Sequence, residues 1–322
     1  MRMASAILKD CSRGLPFMFF IHKSVDGDCV GSACGMVEVL RSMGHEAWVA
    51  KGEELPYNMQ FLGVEDLFAD PAKMGPFVPF AVDCSDSERM GTCSPYFDDN
   101  ADPLIIDHHI SVKLRGEKIW IGGEASSACE LCYYTTLALE EKTGKKLITE
   151  RAARCFLTGI VTDTGRFTYT NTKPETLIAA GELLELGGNV TEISYNQYDR
   201  KKPEAFKASA LIRSNVRFYC DGKIALAIAR ADDFARFGAD DSAIEELPSA
   251  LRDIDGVELS IILRESGGVI RCNLRSKEYF DCSEFATEFN GGGHYRAAGF
   301  THEMADIEEV AQKVVAKASE RL

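Results

Sequence analysis

Short, unbroken apolar runs alternate with amphipathic stretches over the first half of this chain. Phe17-Met18-Phe19-Phe20-Ile21, Val78-Pro79-Phe80-Ala81-Val82 and Leu104-Ile105-Ile106 carry no polar face. A strand of that kind is buried on both sides, as in a parallel sheet flanked by helices. A further strand is expected over 46–50. Helical patterns separate these runs: 31–43, closed by Gly44; 126–142, stopping at Gly144; and 149–161, with Thr149 as N-cap. Another starts at Pro174 and runs to about 186, closed by Gly187-Gly188. The alternation predicts an α/β fold with a doubly wound, largely parallel sheet.

The pattern changes after residue 187. Residues 191–210 are polar and helical, with a break at Asp199-Arg200-Lys201-Lys202-Pro203. Beyond them, runs at 216–220 and 224–229 flank Asp221-Gly222, a tight-hairpin signal. Runs at 257–264 and 269–275 repeat the pattern across Ser266-Gly267-Gly268. Helices are expected over 242–253, 283–289 and 306–319. The chain is therefore expected to divide into a catalytic domain (1–187), a helical linker (188–210) and a smaller α/β C-terminal domain (211–322). An active-site cleft is expected between the two domains.

Composition narrows the classes. An apolar fraction of 45% and a charged fraction of 27% belong to a soluble globular chain. Eleven cysteines, odd in number and irregularly spaced, do not form a disulfide framework and point to a reducing cytoplasm. Residues 15–21 are too short for a membrane span or a signal peptide, so no membrane partner is expected. Thirty-six basic against 50 acidic residues leave a net charge of −14, without a dense Lys/Arg run. Long nucleic acid, whose affinity comes from many phosphate contacts, is excluded as a partner; a short one is not.

The chemistry sits where the apolar runs end. His22, Asp26 and Asp28 follow the first run, Asp83 the second, and Asp107-His108-His109 the third, while Asp163 closes a helical pattern. Ligand crevices of open α/β sheets lie beyond the carboxyl ends of the strands. One aspartate at a strand end is ordinarily a cap or turn residue; an ordered set from several segments is a metal site. Carboxylates suit Mg²⁺ and Mn²⁺, and imidazole tips the choice toward Mn²⁺ or Co²⁺. Gly27 is expected to give a tight loop from which Asp26 and Asp28 aim at neighbouring sites, and Asp83 suits a bridging position. Two cations about 3.5–4 Å apart activate a bridging hydroxide and support in-line displacement at phosphorus. In the C-terminal part, Asn290-Gly291-Gly292-Gly293-His294 offers backbone N–H groups to an anion, and Arg275-Ser276 ends a strand as a phosphate fork. Asn290 tolerates a left-handed backbone. Cys129 and Cys132, like Cys29, Cys34 and Cys84, read as packing thiols. Phe167 and Tyr169 suit either a stacking or a packing role.

These motifs resemble the DHH phosphoesterase superfamily, named for the sequence seen at Asp107-His108-His109. The segment 22–32 matches its first motif, 159–172 also matches closely, and 290–299 resembles the glycine-rich signature of its associated C-terminal domain, with Asn290 in place of a glycine. The resemblance implies that His22, Asp26 and Asp83 hold one cation. Asp28, Asp83, His108 and Asp163 would hold the other, with His109 facing the scissile phosphate and Asp107 orienting the cluster. Within the superfamily the layout resembles the NrnA type. That implies hydrolysis of very short RNA to 5′-mononucleotides, removal of the 3′-phosphate from 3′-phosphoadenosine 5′-phosphate (pAp), and a homodimer. A dedicated linear di-adenylate phosphodiesterase shares the layout. A pyrophosphatase and a non-catalytic nucleotide-binding regulator are the other readings weighed.

Overall fold

A computed structural model describes residues 2–100, 102–109 and 112–322. It divides into two compact units, Met1–Arg200 and Lys201–Leu322.

The first unit is built on six parallel strands: β1 (Phe17–Phe20), β2 (Ala47–Ala50), β3 (Phe68–Ala69), β4 (Val78–Val82), β5 (Leu104–Asp107) and β6 (Lys118–Ile121). Their order is β3-β2-β1-β4-β5-β6, so the winding reverses between β1 and β4. Strand alternation explains the unbroken apolar runs. Phe17 and Phe19 face one core, Met18 and Phe20 the other. The first core lies under helices Arg2–Cys11, Gly27–Ser42, Ala128–Thr143 and Glu150–Asp163. The second is closed by the 3₁₀ segment Ser87–Cys93 and the short helix Ser94–Asp98.

The three helices that carry site residues meet through absent side chains. A Cβ on Gly31 would be driven into the carbonyl oxygen of Cys155, and one on Gly35 into the ring of Phe156. A Cβ on Gly159 would strike Cys129 Sγ and Asp28 Oδ1. Cys129 thus fills the space between two glycines, a packing thiol as its sequence setting suggests.

The second unit carries strands β7 (Arg217–Tyr219), β8 (Ile224–Ala229), β9 (Leu259–Ser266), β10 (Val269–Ser276), β11 (Gly292–His294) and β12 (Ala297–Glu303), ordered β11-β12-β10-β9-β8-β7. All neighbours are antiparallel except β8 and β9. Helices Ile307–Ser319 and Cys282–Thr287 cover one face. Helices Pro203–Ser214 and Leu247–Arg252 cover only part of the other, over β8, β9 and part of β10.

Three expectations change here. The stretch 188–210 is shared between the units rather than standing apart. Ile193 is buried in the first core, while Ala205, Ala208 and Ile212 pack in the second unit at helical spacing. The helix expected over 242–253 is a 3₁₀ turn, Asp241–Ile244, followed by helix Leu247–Arg252, because Pro248 favours the first turn of a new helix. The helix after β1 begins at Gly27, not at 31. Among the described residues no helix is long and apolar enough to cross a membrane.

The Gly31 crossing gives a direct test. Gly31→Ala should lower unfolding stability by about 1–3 kcal/mol, the cost of overpacking a tight core. Denaturant titration would measure it, and a change below a few tenths of a kcal/mol would contradict the packing described.

Candidate functional site

His22 follows β1 and is buried. Asp26 is the N-cap of helix Gly27–Ser42, and its Oδ1 accepts from the amides of Asp28 (3.1 Å) and Cys29 (3.0 Å). Its second oxygen lies 3.4 Å from His22 Nε2. One aspartate therefore starts the helix with one oxygen and enters the site with the other. Asp28 is in the first helical turn, not on a loop. Gly27 is there because a Cβ would meet the side chain of Thr162, not because the backbone turns tightly.

Asp28 is fully buried, and what receives it is the start of another helix. Its Oδ2 accepts from Ala128 N at 2.7 Å and its Oδ1 from Cys129 N at 2.8 Å. Free N–H groups in a first turn carry partial positive charge and stabilise an anion. Sequence reasoning missed this partnership. The Ser127 N-cap marks the helix start, but nothing local says which carboxylate the amides will receive.

Asp83 lies just beyond β4 in a left-handed conformation (φ 49°), which aspartate tolerates better than most residues. Its Oδ2 is 3.4 Å from His22 Nε2; its Oδ1 is 3.6 Å from His108 Nε2 and 3.5 Å from His109 Nδ1. His108 Nε2 also faces Asp163 Oδ2 at 3.3 Å and Asp28 Oδ2 at 3.8 Å. The residues expected to hold two cations are thus brought together, with Asp83 common to the His22 and His108 groups. Cys29 lies within ligating range of His22 and Asp26, but its thiol is engaged with the Asp26 backbone. Asp107 grips His109 twice, through the amide (2.9 Å) and through Nδ1 (2.8 Å), leaving the outer ring nitrogen clear of that contact.

This cluster is electrostatically uncomfortable by itself. Burial, then the neighbouring carboxylates, push Asp163 up to about 10. Burial and Asp28 push Asp83 up to about 8. Burial raises Asp28 as well, although His108 and the Cys129 amide pull against it. For His22, burial favours the neutral ring, but hydrogen bonds that the ring donates to Asp26 and Asp83 prevail and raise it to about 9. His109 is raised chiefly by Asp107. Asp83 Oδ1 and His108 Nε2 are sealed from solvent without a hydrogen-bond partner. Buried polar atoms of that kind call for an explanation. Divalent cations fit: they would occupy the orphaned atoms, and the oxygen-plus-imidazole donor set suits Mn²⁺ and its neighbours.

The second unit separates the remaining expected residues. Arg275 pairs across β12 with Ala297, which pairs in turn with His294 on β11, so Arg275 and His294 share one sheet face. Ser276, next along β10, turns to the opposite side and is buried, with its hydroxyl sealed. The Arg275-Ser276 fork is therefore corrected to Arg275. Gly292 and Gly293 are strand residues rather than an open loop, and Gly291 directly precedes the strand. Gly291 and Gly293 are required by close backbone approach, to Gly299 and Phe300 and to Ala297 and Ala298 respectively. A Cβ on Gly292 would meet nothing. Asn290 is left-handed (φ 58°), as expected of asparagine there. After Asp163, Phe167 is half-buried against the first core, whereas Tyr169 is 57% exposed, with its ring against Gly165.

Comparisons with known proteins cover both units. The DHH family, N-terminal domain, matches residues 16–160, and the DHHA1 domain matches 222–321. The bifunctional oligoribonuclease and PAP phosphatase NrnA of Bacillus subtilis is 32% identical over 86% of this chain and 86% of its own. Its namesake from Thermus thermophilus is 28% identical over 100% of this chain and 94% of its own. An exopolyphosphatase-related protein from Bacteroides fragilis superposes with a TM-score of 0.88 at 25% identity, covering 99% of this chain and 96% of that one.

Two outcomes follow from the geometry. Folding of the metal-free protein takes up protons at Asp83 and Asp163, whose folded pKa values lie above the ordinary carboxylate range, and at His22. Stability is therefore lost as pH rises toward 8–10. Thermal unfolding after chelation should fall between pH 6 and pH 9, and added Mn²⁺ should raise it more at pH 9, where fewer protons compete. A metal-free midpoint that rises with pH would contradict the cluster. In the second unit, Gly293→Ala should destabilise by about 1–3 kcal/mol, and Gly292→Ala by much less, in denaturant titrations.

Proposed function

The chain belongs to the DHH family of phosphoesterases and carries its DHHA1 domain; from that premise we propose that it hydrolyses very short RNA to 5′-mononucleotides and converts pAp to AMP. The observation that carries the reading is the combination in one chain. A buried cluster of carboxylates and imidazoles stands beyond the sheet's reversal point, and an arginine and a histidine share one open face of the second sheet.

His22, Asp26 and Asp83 would hold one cation, and Asp28, Asp83, His108 and Asp163 the other, with Mn²⁺ the favoured ion and Mg²⁺ or Co²⁺ its substitutes. Bound there, two cations supply Lewis acidity toward water and toward the phosphoryl oxygens. The chain's own residues do the rest. The helix amides on Asp28 and the N-cap bonds of Asp26 fix those two carboxylates before substrate arrives. Asp107 sets the ring of His109 and favours its protonated form, so that the outer nitrogen donates to the phosphate undergoing displacement. Arg275 and His294 would hold a terminal phosphate of the substrate, and Gly292 would let it approach the backbone. Recognition of a terminal phosphate makes the reaction exonucleolytic on dinucleotides and short oligomers. The net charge of −14 weighs against long polyanions. Eleven free thiols, nine of them buried, fit a reducing cytoplasm.

Product analysis with Mn²⁺ tests the reading. pAp, linear di-adenylate, a five-nucleotide RNA and pyrophosphate would each be incubated with the protein and with Asp163→Ala. AMP from pAp and di-adenylate and 5′-mononucleotides from the RNA are expected, falling by at least about a hundred-fold in the variant, as for removal of a metal-centred interaction. Turnover of di-adenylate alone would reassign the protein to second-messenger clearance. Turnover of pyrophosphate alone, or tight binding with no product, would refute the proposal.

A further inference from the structure

The sheet of the second unit has a half-covered face, and the uncovered half is not neutral. On β10, Arg271, Asn273 and Arg275 project from the same side. Their cross-strand neighbours on β12 are Thr301, Gly299 and Ala297, none of them large. Arg271 and Asn273 are both exposed. Neither side chain makes a hydrogen bond or ion pair among the described residues, whereas Arg264, opposite Arg271 on β9, is paired with Asp241. An unpartnered arginine on a strand of a chain carrying −14 net charge is a free anion contact.

Resting on the reading above, in which Arg275 holds one phosphate, we infer that Arg271 holds another phosphate further along a bound oligonucleotide. Alternate residues of a strand are about 6.8 Å apart, so Arg271 lies roughly 13–14 Å from Arg275, two steps along one straight edge. Asn273 stands midway, a neutral donor and acceptor beside Gly299. The strip then stops: the next outward position on β10 is the apolar Val269, and Glu303 opposite it on β12 is acidic. A basic strip of this length fits a chain of a few nucleotides, its occupant fixed by charge as a phosphodiester backbone. Substrates with only two phosphates, pAp and linear di-adenylate, are too short to gain from Arg271.

Steady-state kinetics of wild type, Arg271→Gln and Arg271→Lys with those two substrates and a five-nucleotide RNA test this. For the RNA, Arg271→Gln should raise KM about ten-fold with kcat unchanged, the loss of one charge-assisted contact, and Arg271→Lys should recover part of it. For pAp and di-adenylate, KM should stay within about two-fold. The slope of log affinity against log salt for the RNA should fall in magnitude by about 0.7 in the Gln variant. Equal changes with all three substrates, or no change with the RNA, overturn the inference. If wild type turns over none of them, the functional reading fails. The salt slope for RNA binding to the chelated protein then decides by itself: unchanged in the Gln variant, it rules out the contact.

Discussion

Everything in the first unit is arranged around the cost of gathering Asp26, Asp28, Asp83 and Asp163, all but the first buried or half-buried, within a few ångströms. Such groups cannot all ionise in an apolar interior without compensation. The fold supplies part of it from its own backbone. Two helix amides receive Asp28, two more receive Asp26, and an imidazole stands beside Asp83 on either side. The remainder is left over, visible as carboxyls displaced far above their ordinary range and as buried atoms without partners. Divalent cations answer that residual charge. The chemistry proposed for the site is thus a consequence of electrostatics that the fold leaves incomplete.

Packing turns this charge problem into a geometry. β1, β4 and β5 deliver His22, Asp83 and the Asp107-His108-His109 run to the edge where the winding reverses. Asp163 comes from a helix on one face, and it can join them only because that helix lies nearly in contact with its neighbours. Gly31, Gly35 and Gly159 remove the side chains that would hold the helices apart. The stability of the core and the spacing of the ligands are therefore the same interaction seen from two sides.

Much of this was legible in the sequence because its causes are local. The apolar runs announced buried strands, Thr149 announced its helix, and Asp221-Gly222 its hairpin. The ordered His and Asp residues at strand ends gave the cluster. What escaped depends on partners distant in sequence. The amides that receive Asp28 lie 100 and 101 residues away. Asp28 itself was placed on a loop because the helix start, set by the Asp26 cap, falls inside the ligand motif. Ser276 was paired with Arg275 by adjacency, although neighbours on a strand face opposite ways. The stretch 188–210 was read as a linker because its few apolar residues are divided between two cores.

The half-covered sheet of the second unit has an evolutionary consequence. In the first unit, most site residues also cap a helix, receive a buried proton or fill a crossing, so a change of ligand is also a change of fold. Arg271, Asn273 and Thr301 have no such second duty: they are exposed on strands whose other face holds the core. Substitutions there should be nearly free in stability. Selection can therefore adjust the preferred length of substrate without disturbing the catalytic cluster. Among descendants of such a chain, the reaction should be the inherited trait and the substrate range the one that drifts.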